Sequence, residues 1–290
     1  RRIPEFAAAR LASKIKDSIR DGKERLLKRS TILHDVPVAF IGAGAMGEAM
    51  IGGLLRHRLV EAGAITAADR HPERLNEVRD LFGVETTQDN RVAVRKARIV
   101  VLAVKPQVMQ SVCESLATVL TGTDATAPLV VSIAAGITIA HIEHHLGSNT
   151  AIVRCMPNPP ALIGKGASAS FANAQVTKAQ KALADKIMQA VGISVWVDRE
   201  SHIDTVTAVS GSGPAYFFLF MEAMQDTATS MGLSDEVARA LIYQTAVGAA
   251  ELALTSTESI DELRRRVTSP GGTTERAIKQ FESDGIRDLV

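Results

Sequence analysis

The chain has 290 residues, of which 46% are hydrophobic and 22% charged, and its formal net charge is +1. This length allows one large or two ordinary domains. The balanced charge excludes the basic surface of a nucleic-acid-binding protein and excludes an acidic tail. No apolar run in the sequence is long enough to cross a bilayer, so no membrane partner is expected.

The chain contains two cysteines, Cys113 and Cys155, which lie among apolar neighbours without a CxxC spacing. This pattern favours buried free thiols over a disulfide or a metal site. Because free thiols are typical of a reducing compartment, we expect a cytoplasmic protein with no bound metal.

Residues 1–35 are interpreted as an N-terminal extension. The stretch is basic and has apolar residues at Leu11, Ile15 and Ile19, a spacing that predicts an amphipathic helix. It lacks the long apolar core of a secretory signal, and Glu5 and Asp17 argue against an organellar transit segment.

The first predicted strand, residues 38–41, runs directly into Gly42-Ala43-Gly44-Ala45-Met46-Gly47. An apolar strand followed by G-x-G-x-x-G and a helix, here predicted over residues 46–56, is typical of a dinucleotide-binding turn. In this interpretation Gly42 makes the turn, Gly44 lets a pyrophosphate approach the backbone, and Gly47 lets the helix pack closely on the strand. Glycine clusters also make ordinary turns, so the motif alone is a weak signal.

The next predicted strand, residues 65–68, ends at Asp69 and Arg70. Asp69 lies 22 residues after Gly47, about where a dinucleotide-binding unit places the acid that binds the ribose hydroxyls. The Arg70 side chain suits a 2′-phosphate instead, and a turn aspartate before the helix predicted at 72–82 is an equally natural interpretation. The sequence therefore leaves NADH and NADPH both open.

Further strands are predicted at residues 83–86, 98–104, 129–133, 151–156, 166–171 and 194–197, and their alternation with helices predicts a doubly wound, mainly parallel sheet. The pair Asp89-Asn90 follows the first of these strands, where it either caps the next helix or contacts the cofactor. The segments Ala103-Val104-Lys105-Pro106 and Ala134-Ala135 follow two buried strands. Because ligands bind beyond the carboxyl ends of parallel strands, both segments are candidates for the cofactor site.

After residue 198 the pattern changes from strands to helices, so we place a first domain at residues 36–198 and a second at 199–290. The helices predicted over 217–231 and 234–254 are apolar on nearly every side. Such helices must be buried, and a domain of this size is too small to enclose both. We therefore expect them to pack against a second copy of the chain.

The last informative stretch is the turn over residues 267–274, which reads Val-Thr-Ser-Pro-Gly-Gly-Thr-Thr and precedes a helix predicted over 275–283. Two glycines before a helix N-terminus leave several backbone N–H groups free to face an anion, and Thr273 and Thr274 add hydroxyls. This arrangement suits a substrate carboxylate, although an ordinary helix cap has the same pattern.

Six motifs, taken in order, resemble those of the pyrroline-5-carboxylate reductase family. They are residues 42–47, 103–106, 132–136, 154–158, 210–216 and 267–274. The first motif is generic, the last two are specific, and the match runs from about Val36 to Val290. The resemblance implies reduction of 1-pyrroline-5-carboxylate to L-proline with NADPH or NADH, the last step of proline biosynthesis.

The resemblance also implies the architecture and the assembly. It implies an α/β fold in which an N-terminal Rossmann-type, doubly wound parallel sheet is followed by an all-helical dimerisation domain. It further implies a homodimer or a larger ring of dimers.

The resemblance assigns site residues position by position. Gly47, Asp69 and Arg70, named above, are candidate cofactor-binding residues. The resemblance adds to this cofactor site Ile41, Gly42, Ala43, Gly44, Ala45, Met46, Asn90, Ala103, Val104, Lys105, Pro106, Ala134 and Ala135. It assigns the substrate to Ser269, Gly271, Gly272, Thr273 and Thr274. Thr274 matches the family's threonine near the ring nitrogen, and the catalytic candidates are Thr274 and Ser269.

Two alternatives remain open at this point. An imine or β-hydroxyacid reductase would share the architecture, but a hydroxyacid enzyme would need a lysine at the start of the long interdomain helix, where this chain has Ser210-Gly211-Ser212-Gly213. A non-catalytic dinucleotide-binding protein would have no use for a carboxylate cradle at residues 269–274. Because reduction of a cyclic imine needs a polar partner at nitrogen more than a strong base, the chemistry requires no histidine.

Overall fold

A computed structural model describes residues 33–120 and 127–290 of the chain. The amphipathic helix predicted near the N-terminus therefore lies outside the described residues. The chain divides into one compact unit that ends at Tyr216 and another from Phe217 to Val290. Leu33, near the end of the stretch interpreted as an extension, is buried in the core of the first unit.

The described part of the first unit contains an eight-stranded sheet. Its strands are β1 (Val38–Ile41), β2 (Ile65–Ala68), β3 (Glu85–Thr87), β4 (Ile99–Leu102), β5 (Leu129–Ser132), β6 (Ile152–Met156), β7 (Gly166–Ala172) and β8 (Gly192–Trp196). Their order is β3-β2-β1-β4-β5-β6-β7-β8, and neighbours are parallel except for β6 and β7. This confirms the doubly wound, mainly parallel sheet. The winding reverses at β1, which lies between β2 and β4, and ligands bind at such a switch point.

Helices cover both faces of the sheet. The helices of the first unit are α1 (Ala45–Arg56), α2 (Pro72–Phe82), α3 (Asn90–Val94), α4 (Met109–Leu120), α5 (Ile139–Leu146), α6 (Lys178–Gln189) and α7 (His202–Val206). Side chains along β1 alternate between two core clusters, since Val38 and Phe40 belong to one while Ala39 and Ile41 belong to the other. A strand buried on both faces must be apolar at every position, which explains the uninterrupted apolar run before the glycine motif.

The second unit is helical in all its regular structure. Its helices are α8 (Gly213–Ser230), which begins just before the unit boundary, α9 (Asp235–Thr255), α10 (Ile260–Arg266), α11 (Thr273–Ser283) and α12 (Ile286–Leu289). In the single chain, Phe217, Phe218 and Leu219 of α8 are 68%, 65% and 66% exposed. Exposed aromatic and aliphatic side chains at this density mark a surface that another protein surface covers.

Both cysteines of the chain lie among the described residues. Cys113 and Cys155 are both free and buried, as predicted, and burial raises the pKa of their thiols to about 11 and about 12, respectively. No helix within the described ranges is long and apolar enough to cross a membrane. The same ranges contain no group of three or more His, Cys, Asp or Glu side chains placed to hold a metal ion.

Candidate functional site

The three glycines of the first motif have different physical roles in the turn between β1 and α1. Gly42 has φ 101°, and a Cβ at this position would lie 2.6 Å from the carbonyl oxygen of Ala103. A Cβ at Gly47 would lie 2.5 Å from the carbonyl oxygen of Gly42, whereas a Cβ at Gly44 would meet no atom within 4 Å. The packing of the chain therefore requires glycine at residues 42 and 47. Gly44 instead leaves an open space at the N-terminus of α1.

The N-terminus of α1 faces this open space. Gly44 is its N-cap and no side chain caps it, and Gly44 and Ala45 are exposed. Within the described residues, the backbone N–H groups of Ala45 and Met46 have no acceptor. Free N–H groups and the positive end of a 12-residue helix favour a negatively charged group. The turn therefore fits the diphosphate of a dinucleotide.

A cleft of about 660 Å³ lies along the carboxyl ends of β1, β2 and β4. Among the cofactor residues proposed from the sequence, those that line it are Gly42, Gly44, Asp69, Arg70, Asn90, Ala103, Val104 and Lys105. These residues come from four separate stretches of the chain. The structure therefore brings half of the proposed cofactor residues to one surface at the switch point of the sheet.

The other proposed cofactor residues lie behind or beside this cleft. The side chains of Ile41 and Ala43 and the backbone of Gly47 are buried, Ala45 and Met46 form the first turn of α1, and Pro106 starts a short 3-10 helix. Ala134 and Ala135 follow β5, where Ala134 is buried and Ala135 is exposed. They are not part of the cleft lining, although the N–H of the preceding Ile133 donates to the Leu102 carbonyl at the end of β4 at 3.1 Å.

Asp69 connects two loops at the edge of the cleft. Its Oδ2 accepts a hydrogen bond from the N–H of Ala43 at 2.9 Å, and its Oδ1 accepts one from the N–H of His71 at 3.1 Å. The neighbouring Arg70 is exposed, and its Nε donates to the ring of His71 at 3.0 Å. The Asp69 carboxylate therefore holds the backbone of the glycine turn, whereas the Arg70 guanidinium extends towards solvent.

The alternatives for residues 89 and 90 separate in the structure. The Asp89 side chain caps α3 by accepting a hydrogen bond from the N–H of Arg91 at 2.9 Å. The hydrogen bonds from the Arg91 guanidinium, together with this backbone bond, lower the pKa of the Asp89 carboxyl. Asn90 is the first residue of α3 and lines the cleft.

Sequence reasoning missed Arg74, which also lines the cleft. Its Nε donates to the carbonyl oxygen of Ala43 at 2.6 Å, and its terminal nitrogens bind Glu77 at 2.8 Å and Glu48. The signal available in the sequence was an arginine in the first turn of α2, directly after the strand that ends at the candidate ribose acid.

Sequence reasoning also missed an ion-pair network that is centred on β6. Arg154 on β6 is 2% exposed and forms ion pairs with Glu200 at 3.1 Å and Asp204 at 3.0 Å. Glu200 also accepts a hydrogen bond at 2.7 Å from the N–H of Ile139, the first residue of α5. This network ties β6 to the loop that carries Ala134 and Ala135.

In the second unit, the turn between α10 and α11 contains two glycines whose N–H groups already have acceptors. The N–H of Gly271 donates to Oε2 of Glu275 at 2.7 Å, and the N–H of Gly272 donates to the Ser269 carbonyl at 3.1 Å. The free N–H groups expected in this turn are therefore not those of the two glycines. Gly271 instead supplies a left-handed backbone conformation with φ 73° that the turn requires.

The free N–H groups of this turn belong to the two threonines. Helix α11 begins at Thr273, two residues earlier than predicted, with Gly272 as an N-cap that has no side chain. Within the described residues, the N–H groups of Thr273 and Thr274 have no acceptor, and both side chains are exposed. Hydrogen bonds from Lys279 and from the Gly271 N–H lower the pKa of Glu275, so this side chain is a carboxylate that stabilises the turn.

Two family models match the chain. Residues 200–290 match the model for pyrroline-5-carboxylate reductase dimerisation, and residues 37–136 match a model described as NADP oxidoreductase coenzyme F420-dependent. The chain is also 51% identical over 253 residues to a pyrroline-5-carboxylate reductase of Pseudomonas aeruginosa, an alignment that covers 87% of this chain and 91% of the relative. The chain belongs to the pyrroline-5-carboxylate reductase family.

Solved structures of pyrroline-5-carboxylate reductases have the same fold. The protein from Coxiella burnetii is 45% identical with a TM-score of 0.83, and the match covers 88% of this chain and 93% of the other. The Plasmodium falciparum protein, solved with NADP bound, is 29% identical with a TM-score of 0.78 over 89% and 93% of the two chains. An imine reductase from a Pseudomonas species, at 17% identity and TM-score 0.57 over 77% and 76%, shares the fold alone.

This family membership has two structural consequences for the chain. It carries an N-terminal NADP oxidoreductase domain, which supports a nicotinamide dinucleotide as the cofactor. It also carries the family's dimerisation domain, so the exposed apolar helices of the second unit belong to an oligomer.

Proposed function

We propose that this chain reduces the C=N bond of 1-pyrroline-5-carboxylate and forms L-proline, with NADPH or NADH as the hydride donor. The observation that supports the proposal is that one chain of this family has two helix N-termini with free N–H groups. One is the N-terminus of α1 beside the cleft, and the other is the N-terminus of α11 at Thr273 and Thr274. A dinucleotide diphosphate suits the first and a small carboxylate suits the second.

The dinucleotide, when bound, supplies a hydride to the carbon of the C=N bond. We infer that the α1 end of the cleft binds its diphosphate through the N–H groups of Ala45 and Met46, which Gly44 leaves accessible. Ala103, Val104 and Lys105 follow β4 and lie next along the switch point. Ala134 and Ala135 are proposed to face the nicotinamide, and they lie in the loop that ends at Ile139, whose N–H binds Glu200 of the Arg154 network.

The second unit is proposed to hold the substrate. The free N–H groups of Thr273 and Thr274 suit the substrate carboxylate, and the Ser269 side chain lies in the same exposed turn. The Thr274 hydroxyl is the polar partner proposed for the ring nitrogen. A protonated cyclic imine already carries the proton that stays on the product nitrogen, so the turn needs to orient the ring rather than supply a strong base.

The choice between the two dinucleotides is proposed to depend on Asp69 and Arg70 together. The Asp69 carboxylate is next to the ribose position and disfavours a second negative charge there, while the exposed Arg70 guanidinium favours a 2′-phosphate. The functional assembly is proposed to be a homodimer or a ring of dimers, because the aromatic face of α8 needs a partner surface. We retain 36–198 and 199–290 as the proposed functional domains, since the dimerisation model begins at residue 200.

The direct test is a spectrophotometric assay of NADPH or NADH oxidation with 1-pyrroline-5-carboxylate as substrate. We expect turnover that depends on both components, with L-proline as the product identified by chromatography. A cyclic imine without the carboxylate is the matched control and should be a poor substrate. Equal rates with the two imines, or no proline formed, would contradict the proposal.

A further inference from the structure

The peptide groups that flank Ala43, the second residue of the glycine turn, are held from two directions by side chains of another segment. The Ala43 N–H donates to Asp69 at 2.9 Å, and the Ala43 carbonyl accepts from Nε of Arg74 at 2.6 Å. Ala43 itself is fully buried, and the next residue, Gly44, is the N-cap of α1. The conformation of the turn therefore depends on contacts from outside it.

The guanidinium of Arg74 is committed on all three nitrogens. Besides the bond to Ala43, it binds Glu77 at 2.8 Å and forms an ion pair with Glu48. The hydrogen bond to Glu48 is the main cause that raises the pKa of Arg74 above its ordinary value. Because each of its nitrogens already donates to a protein acceptor, Arg74 is held in place, whereas Arg70 is exposed, although both line the same cleft.

The position of Glu48 means that its ion pair with Arg74 also affects the charge at the N-terminus of α1. Glu48 lies in the first turn of α1, at the helix end where the free N–H groups of Ala45 and Met46 face the open space. A carboxylate at this position stabilises the helix dipole, but it also repels any other anion that binds there. Arg74 neutralises this carboxylate beside the position of the diphosphate.

We propose that Arg74 is a positioning residue for the diphosphate turn and not a ligand of the cofactor's 2′-phosphate. It holds the Ala43 carbonyl and neutralises Glu48, and both effects act on the diphosphate that NAD⁺ and NADP⁺ share. Removal of the Arg74 side chain therefore weakens the binding of both dinucleotides equally, whereas removal of the Arg70 side chain weakens the binding of NADP⁺ alone. This inference rests on the proposed function to the extent that the turn binds a dinucleotide.

The test is isothermal titration calorimetry of the full chain, which measures Kd for NAD⁺ and for NADP⁺ in the absence of substrate. For Arg74→Met we expect Kd to rise by about tenfold for both ligands, since charge-assisted hydrogen bonds are lost. Arg70→Met should raise Kd for NADP⁺ and leave Kd for NAD⁺ unchanged. Arg79→Met, on the exposed side of the same helix α2, is the matched control and should change neither.

The Glu48→Gln background separates the two effects of Arg74. Without the carboxylate there is no charge to neutralise, so Arg74→Met should weaken dinucleotide binding less in Glu48→Gln than in the native chain. This double variant also leaves no unpaired carboxylate at residue 48, and it replaces the single variant if the single variant does not fold, as judged by thermal unfolding.

Two outcomes would overturn the inference. A loss of affinity confined to NADP⁺ would make Arg74 a 2′-phosphate ligand. Unchanged affinity for both dinucleotides would remove it from the positioning of the turn. Since no substrate is present, both outcomes are distinct from a failure of the chain to reduce 1-pyrroline-5-carboxylate.

Discussion

The Asp69 carboxylate accepts a hydrogen bond from the backbone N–H of Ala43 at 2.9 Å, across 26 residues of sequence. This bond joins the end of β2 to the turn after β1, the two segments that a dinucleotide spans in this kind of fold. It shows that the acid found by its distance from the glycine motif also stabilises that motif.

Replacement of both Asp69 and Arg70 should change the preference of the enzyme between NADPH and NADH. In the Arg70→Ala variant we expect kcat/KM with NADPH to fall by about tenfold, because a charge-assisted contact is lost. NADH should be nearly unaffected. Steady-state kinetics with both cofactors provide the measurement. If the double variant Asp69→Ala/Arg70→Ala keeps the native preference, these residues do not determine cofactor choice.

Gly44 and Gly47 form a matched pair with opposite expected effects. A methyl group at Gly47 would collide with the Gly42 carbonyl, so Gly47→Ala should lower the free energy of unfolding by about 1–3 kcal/mol. A methyl group at Gly44 enters open space, so Gly44→Ala should retain stability and lose affinity for NAD⁺. Urea unfolding and dinucleotide titration measure the two quantities. A Gly44→Ala variant with native affinity would exclude the close approach of the diphosphate.

Thr274→Ala should lower kcat by about 100-fold with little change in the melting temperature, because the lost hydroxyl is the proposed polar partner of the ring nitrogen. Thr274 is exposed on the first turn of α11, so its truncation leaves no cavity. Thr274→Ser keeps the hydroxyl and should recover most of the turnover. Native kcat in Thr274→Ala would remove this residue from the mechanism.

Phe217→Glu should weaken assembly. Phe217 is 68% exposed on α8, and a carboxylate buried there between subunits would be desolvated without a partner. Leu81→Glu, at a 64% exposed leucine of α2, is the matched control and should leave the oligomer intact. Sedimentation velocity over a range of protein concentrations gives the result. The same mass for Phe217→Glu and the native chain would place this residue outside the interface.

The two thiols should be unreactive in the folded chain. Burial raises the pKa of Cys113 from 9.0 to about 11 and that of Cys155 to about 12, so the thiolate is scarce at pH 8. A shift of two pKa units lowers the thiolate fraction of Cys113 about 100-fold, in addition to the steric block. We expect modification by a disulfide reagent only after unfolding in urea, when both thiols titrate normally. Rapid modification of the native chain at pH 8 would contradict this burial.

The candidate site was only partly predictable from the sequence. The glycine turn, Asp69, Arg70 and residues 103–105 could be found, because strand ends and glycine spacing are local features of the chain. Arg74 could not be assigned, since its role comes from a carbonyl 31 residues away. The sequence predicted free amides before α11 without identifying them, because only the folded turn shows that Glu275 and Ser269 occupy the glycine N–H groups.

By itself the sequence determined the alternation of strands and helices, the buried thiols and the position of the glycine turn. These properties follow from periodicity and composition, which act over a few residues at a time. Tertiary structure alone decided that Asp89 caps α3 while Asn90 lines the cleft, and that Arg74 reaches Ala43. Each of these outcomes depends on which donor lies nearest to which acceptor after folding, and that distance is set by the packing of segments far apart in the chain.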